Sequence, residues 1–150
     1  MTVQHILVPT DFSADAEQAV DYAIALASVF RARVTLLHVI HEVLWAAGET
    51  AMTLPPTYFA ELEAATQQQM GKALQRVRHA GLEGDSIVAY GFPFEHIVTV
   101  ARNQGVDLII MGTHGRTGLK HVLMGSVAER VVRLAPCPVL VTRSTTPSSA

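Results

Sequence analysis

Val34-Thr35-Leu36-Leu37-His38-Val39-Ile40 is a nearly continuous apolar run, rich in β-branched residues. A strand with one face in water alternates apolar and polar residues, whereas a strand buried on both faces need not. The run therefore predicts a strand inside a parallel sheet covered by helices on both sides. Upstream, His5-Ile6-Leu7-Val8 reads as a second buried strand of the same kind. Between the two, Ser13 is placed to cap a helix, with Asp15 and Glu17 near its positive end. Ala16, Val20, Ala23, Ala27 and Phe30 then recur at spacings of three and four and give that helix one apolar face.

Downstream, residues 41 to 56 break the rhythm, and Pro55-Pro56 closes that stretch. A long helix follows from 57 to 80, with Phe59, Leu62, Met70, Leu74 and Val77 on one side, ended by Gly81 and Gly84. Residues 85 to 90 form a third strand. Pro93 opens a helix to 104 that carries Phe94, Ile97, Val98 and Ala101, and Gly105 stops it. Val106-Asp107-Leu108-Ile109-Ile110-Met111 is the fourth strand, and residues 112 to 123 are a glycine-bearing loop. A helix from 126 to 134 turns Val127, Val131 and Leu134 inward, and Val139-Leu140-Val141-Thr142 is the fifth strand. Five strands alternating with four helices predict an α/β fold: an open parallel sheet built from right-handed crossovers. Such sheets bind ligands outside the carboxyl ends of their strands, where the strand order reverses, so the loops after strands 1 and 4 are the first candidates. The chain shows no internal repeat. One domain is expected over residues 1–143, with the Ser/Thr/Pro-rich segment 144–150 as a flexible tail.

Composition narrows the function classes. Of 150 residues, 49% are apolar and 16% are charged, and mean hydropathy is +0.29, which is too apolar for a disordered chain. The longest apolar runs still fall far short of the roughly 20 residues a helix needs to cross a bilayer, and the N-terminus shows no signal-peptide pattern. With 11 basic against 13 acidic residues, no basic face is available to make nucleic acid the main partner. A single cysteine, Cys137, excludes an internal disulfide and a cysteine-based metal cluster, and fits a cytoplasmic location. Low charge with high apolarity also points to surface buried between subunits.

The chemistry concentrates after strand 4, in Met111-Gly112-Thr113-His114-Gly115-Arg116-Thr117-Gly118-Leu119-Lys120-His121-Val122-Leu123-Met124-Gly125-Ser126. Glycines let backbone N–H groups approach phosphate oxygens, and a helix starting at Ser126 offers unpaired N–H groups and the positive end of its dipole. Ser126 adds a hydroxyl, whether as helix cap or as ligand donor, and Arg116 and Lys120 supply counter-charge. The loop contains no Gly-Lys-Ser/Thr and no dinucleotide-type glycine turn.

Gly112-x-x-Gly115, nine residues, then Gly125-Ser126 resembles the ATP-binding pattern of the universal stress protein family. The segment from His5 through Pro9-Thr10-Asp11-Phe12-Ser13 resembles that family's first strand and turn. Three further segments, 35–40, 105–112 and 135–141, resemble its second, fourth and fifth strands, so the likeness spans residues 2 to 143. The resemblance implies a Rossmann-like adenine nucleotide α-hydrolase-like fold with strand order 3-2-1-4-5, and a homodimer. It further implies that Pro9, Thr10 and Asp11 lie against adenine and ribose, and that Val39 meets adenine through its backbone. Met111, Gly112, Gly115, Arg116, Gly125, Ser126 and Val127 would surround ribose and phosphates, with magnesium bound through the phosphates. Residues 41 to 56 carry nothing over.

The residues also admit plainer readings. Asp11 can be a turn residue ahead of a helix cap. The three glycines can serve a loop that needs positive φ. His38 reads as a hydrogen-bonded core or edge histidine, and His114 and His121 can touch phosphate or solvent. Cys137, between two prolines, reads as an inert structural thiol. Met111 and Met124 read as pocket lining or core filler, and Trp45 is undecided. The seven histidines include no metal-ligand spacing with a carboxylate. Hydrolysis needs a positioned base, and the acidic residues near the loop are Asp11 and Glu129, the latter on an exposed helix face. The expectation is thus a regulatory module that binds ATP, ADP or AMP and turns it over slowly or not at all. Two alternatives stand beside it. One is an adenylating or ATP-hydrolysing enzyme of the related nucleotide α-hydrolase group, and the other is an interaction module without nucleotide. An apolar edge strand at 138–142 predicts dimerisation by pairing with its copy.

Overall fold

The computed structural model describes residues 1–41, 55–114 and 124–144. Trp45, Gly115, Arg116, Lys120, His121 and the tail beyond Ser144 lie outside them, with the readings that fall on them. The elements are β1 (His5–Pro9), α1 (Ala14–Phe30), β2 (Arg33–His41), α2 (Pro56–His79), β3 (Gly84–Gly91), α3 (Pro93–Asn103), β4 (Leu108–Gly112), α4 (Ser126–Leu134) and β5 (Val139–Thr142). All strand pairs are parallel, and the order is β3-β2-β1-β4-β5. The order reverses between β1 and β4, as the sequence predicts.

Strand β1 is central. Ile6, Leu7 and Val8 are fully buried, and their side chains alternate between two cores. Ile6 and Val8 pack with Val20, Ala23 and Ala27 of α1 and Met70 and Val77 of α2. Leu7 packs with Ile97 and Ala101 of α3 and Ala128 and Val131 of α4. Small residues line the inward face of α1 (Ala16, Ala19, Ala23 and Ala27), so this helix can lie close over β1, β4 and β5. Phe30, expected on that face, is 45% exposed, because the helix stops at Arg31 in a left-handed conformation and the chain turns there. Leu134 is likewise exposed. Ala128 and Val131, with Val127 packed beside them, supply the inward line of α4, and Leu134 falls off it. Strand β4 starts at Leu108 rather than Val106, because Asp107 serves as a link between strands. Its Oδ2 accepts from the N–H groups of Gln4 and His5 at 2.8 and 3.0 Å, joining the entries of β1 and β4.

A chain of polar groups crosses the amino-terminal half of the sheet. The Arg33 guanidinium donates to Nδ1 of His5 at 3.1 Å. Nε2–H of His5 donates to the Thr35 hydroxyl at 2.8 Å, and that hydroxyl donates to Oδ1 of Asp85. This sequence of donors requires a neutral imidazole with its hydrogen on Nε2. Burial pushes the His5 pKa below its ordinary 6.5, and the Arg33 charge adds to that, against the opposing pull of the Gln104 backbone, Asp85 and Asp107.

The neutral ring gives stability a pH dependence of definite sign. The unfolded chain takes up a proton at His5 near pH 6.5, and the folded chain does so only at lower pH. The contribution is complete above pH 6.5 and is lost as the pH falls below it. One such group can change stability by no more than about 1.4 kcal/mol per pH unit. Urea midpoints measured from pH 7 downward are expected to fall more steeply for the wild type than for His5→Gln. Equal slopes would show that the ring is not the source.

Candidate functional site

Two chain exits meet at the carboxyl edge where the strand order reverses. The first is the turn after β1. Pro9 ends the strand half-buried, and Thr10 is buried with its N–H on the Leu37 carbonyl at 2.8 Å. The Thr10 hydroxyl accepts from the Phe12 N–H, and Oδ1 of Asp11 accepts from the Ser13 N–H, both at 3.0 Å. Asp11 is therefore a turn residue, whatever else it does. Phe12 takes a positive φ of 64°, an uncommon conformation for an aromatic residue, and its ring stacks on His38 of β2 at 4.6 Å. Nδ1 of His38 donates to the Thr10 carbonyl at 2.8 Å, which makes His38 the hydrogen-bonded histidine expected. Val39, next along β2, is half-buried and packs against the α3/α4 core. Ser13 then caps α1 by accepting from the Ala16 N–H at 3.2 Å.

The second exit is the neck after β4. Met111 is buried and Gly112 half-buried. Thr113 anchors the neck to the end of β5, its N–H on the Thr142 carbonyl at 2.7 Å and its hydroxyl on the same oxygen. The chain returns at Gly125, whose N–H donates to the Thr113 carbonyl at 2.7 Å. Gly125 holds the cap position of α4, so Ser126 is the first helical residue and not the cap. Ser126 is exposed and Val127 half-buried. Among the described residues no side chain caps this helix start, in contrast to α1. Met124 packs against the core as filler.

The glycines have a reason that the sequence does not show. Gly112 and Gly125 both have negative φ, so neither needs left-handed backbone. A Cβ on Gly112 would lie 2.8 Å from Cβ of Asp15 and 2.9 Å from its carbonyl carbon. A Cβ on Gly125 would lie 3.2 Å from the Thr113 carbonyl oxygen. One glycine seats β4 against α1, and the other closes the loop neck on itself.

Asp15 is the residue that sequence reasoning missed. It reads there as one more acidic residue in a first helical turn. Its Oδ2 accepts from the His114 N–H at 3.1 Å, its Oδ1 accepts from the Ser144 N–H at 2.8 Å, and its carbonyl accepts from the Thr142 hydroxyl at 3.2 Å. Nδ1 of His114 lies 3.6 Å from the same carboxylate, so His114 faces Asp15. These partners lie 99 to 129 residues away, beyond any local pattern. Glu129 is on the exposed side of α4 and pairs with Arg133 at 3.3 Å. Burial pushes the Cys137 thiol up, away from the reactive thiolate, in keeping with a structural role. Among the described residues no group of three or more His, Cys, Asp or Glu side chains converges as a metal site, and no helix is long and apolar enough to cross a membrane.

This is an open parallel α/β protein whose strand order reverses between a tight turn after β1 and a glycine neck after β4. Residues 2–143 match the Universal stress protein family, and the chain belongs to that family. Universal stress protein MJ0577 of Methanocaldococcus jannaschii is 35% identical, over 92% of this chain and 93% of that protein. The solved MJ0577 structure superposes with a TM-score of 0.83, covering 95% of this chain and 97% of the other. Universal stress protein UspA from Lactobacillus plantarum, 28% identical, gives 0.79 over 95% and 99%. Three more distant solved members, at 16% to 23% identity and TM-scores of 0.66 to 0.72, share the fold over at least 95% of each chain. They are a universal stress protein in complex with cAMP, the Archaeoglobus fulgidus protein in complex with dAMP, and an Arabidopsis thaliana member with AMP bound.

The two glycine contacts rank two substitutions. Gly112→Ala meets backbone and is expected to cost about 1–3 kcal/mol, as overpacked sites do. Gly125→Ala meets one carbonyl oxygen at 3.2 Å, closer than ordinary contact but less so than at Gly112, and is expected to cost less. Urea unfolding of both variants checks the order, and a costlier Gly125→Ala would contradict this account of the neck.

Proposed function

We propose that this chain binds an adenine nucleotide (ATP, ADP or AMP) in the crevice between the β1 turn and the β4 neck. It acts in the cytoplasm as a nucleotide-responsive regulatory or stress-resistance module, with slow or no hydrolysis. The observation that carries this reading is the contrast between the two helix starts at the switch point. Ser13 closes the start of α1 on itself, whereas α4 begins after a glycine neck with no side-chain cap among the described residues. Orphan N–H groups and a positive dipole end suit phosphate at α4 and not at α1. That contrast also disfavours the adenylating enzymes, whose phosphate loop follows strand 1. The adenine nucleotides held by solved members of the fold support the ligand class.

In this reading Pro9, Thr10, Asp11 and the Val39 backbone take adenine and ribose. Met111, Gly112, Gly125, Ser126 and Val127, with Gly115 and Arg116 from the intervening loop, take ribose and phosphates. Magnesium would be carried on the phosphates. Slow turnover fits the acidic side chains around the neck, because Asp11 is engaged in its turn, Asp15 with the His114 and Ser144 amides, and Glu129 with Arg133. Dimerisation would use β5, which is an edge strand with half-buried Val139, Leu140 and Val141.

Calorimetric titration with Mg-ATP is expected to show saturable binding, weakened when Arg116 and Lys120 are both replaced by Ala. No heat up to millimolar ATP would refute the reading. Sedimentation is expected to show a dimer at micromolar concentration that a charge at Leu140 dissociates, and a wild-type monomer would refute pairing through β5.

A further inference from the structure

Asp15 occupies an unusual place for a residue in a first helical turn. A carboxylate there normally serves its own helix, facing the first N–H groups and the dipole. Ser13 already provides the side-chain cap of α1, and both Asp15 oxygens turn outward to other segments. One receives the amide of His114, at the β4 neck, and the other receives the amide of Ser144, just past β5. The side chain is only 14% exposed. The backbone of the same residue is the surface on which Gly112 rests. Three consecutive neck residues therefore take their position from this corner: Gly112 by contact, Thr113 through Thr142, and His114 through the carboxylate.

We propose that Asp15 is a positioning residue of the nucleotide site, fixing the phosphate-side neck of the β4 exit and tying it to the exit of β5. The inference rests on the adenine-nucleotide reading above and deepens it. In this role Asp15 acts through the two amides that its oxygens hold. A carboxylate is needed because both partners are N–H donors, and two acceptor oxygens serve them together. Asparagine has the same shape but presents one acceptor and one donor, so one of the two amides would face an N–H group. The adenine end, held by β1 and β2, does not depend on this corner, and the ribose side meets it only at Gly112, which rests on the Cβ and backbone of Asp15 that Asp15→Asn leaves in place.

The test compares adenosine with ATP in wild type and Asp15→Asn, by calorimetry, with hydrogen exchange at the His114 and Ser144 amides read in parallel. The variant is expected to lose protection at one or both amides, to bind ATP about ten-fold more weakly, or roughly 1.4 kcal/mol, and to bind adenosine unchanged. A general folding defect would weaken both ligands together. Simple removal of a negative charge near the phosphates would tighten ATP instead, opposite in sign to loss of positioning. Equal weakening of both ligands, unchanged ATP affinity or tighter ATP binding would each overturn the proposal and leave the nucleotide reading intact. A wild-type protein that binds neither ligand would overturn the nucleotide reading, and the proposal with it.

Discussion

A strand buried on both faces and paired on both edges can exist only where two helix layers and two neighbouring strands meet it. Ile6, Leu7 and Val8 impose that constraint at β1, and they expose no surface at all. Leu36 and Leu37 extend it into β2, and Ile109 and Ile110 into β4. Every helix then has its side of the sheet assigned by which core it must complete. The reversal of strand order beside β1 is where crossovers depart in opposite directions, and in open α/β sheets ligands bind beyond the strand ends at that point. Burial in the middle of the sheet and the candidate site at its edge have the same origin.

The fold was legible because its signals are local and repeated. Continuous apolar runs marked β1, β2 and β4, and Ser13, Pro93 and Gly105 marked helix ends close to where the chain places them. The misplacements also have local causes. Phe30 and Leu134 satisfy a helical period, but each falls where its helix is ending and the inward line is carried by alanines and valines instead. Ser126 looks like a cap by residue type, yet Gly125 holds that position because the neck must approach the Thr113 carbonyl.

The candidate site was legible as a pattern, and its mechanics were not. Gly112 and Gly125 suggest openings for phosphate, and in the fold they provide close packing of β4 against α1 and of the neck against itself. Asp15 carried no signal, since its partners come from two segments about a hundred residues later in the chain. Phe12 behaves the same way, unremarkable in sequence and stacked on His38 across the β1 turn. The low charge of the chain suits a site whose described parts are shaped by backbone amides, carbonyls and glycine contacts.

Asp107 and Asp15 stand at opposite ends of β4, and each accepts two amide hydrogens from other segments. Asp107 reaches back 102 and 103 residues to the entry of β1, and Asp15 reaches forward 99 and 129 residues. Pairing of β1 with β2 spans only 28 residues, as in His5↔Arg33. Closing a longer loop costs more chain entropy, so the short pairing has the advantage early in folding. The aspartate links become available only after β4 and β5 have docked. By this argument they are late closures, fastening a half of the sheet that the rest of the chain must already have assembled.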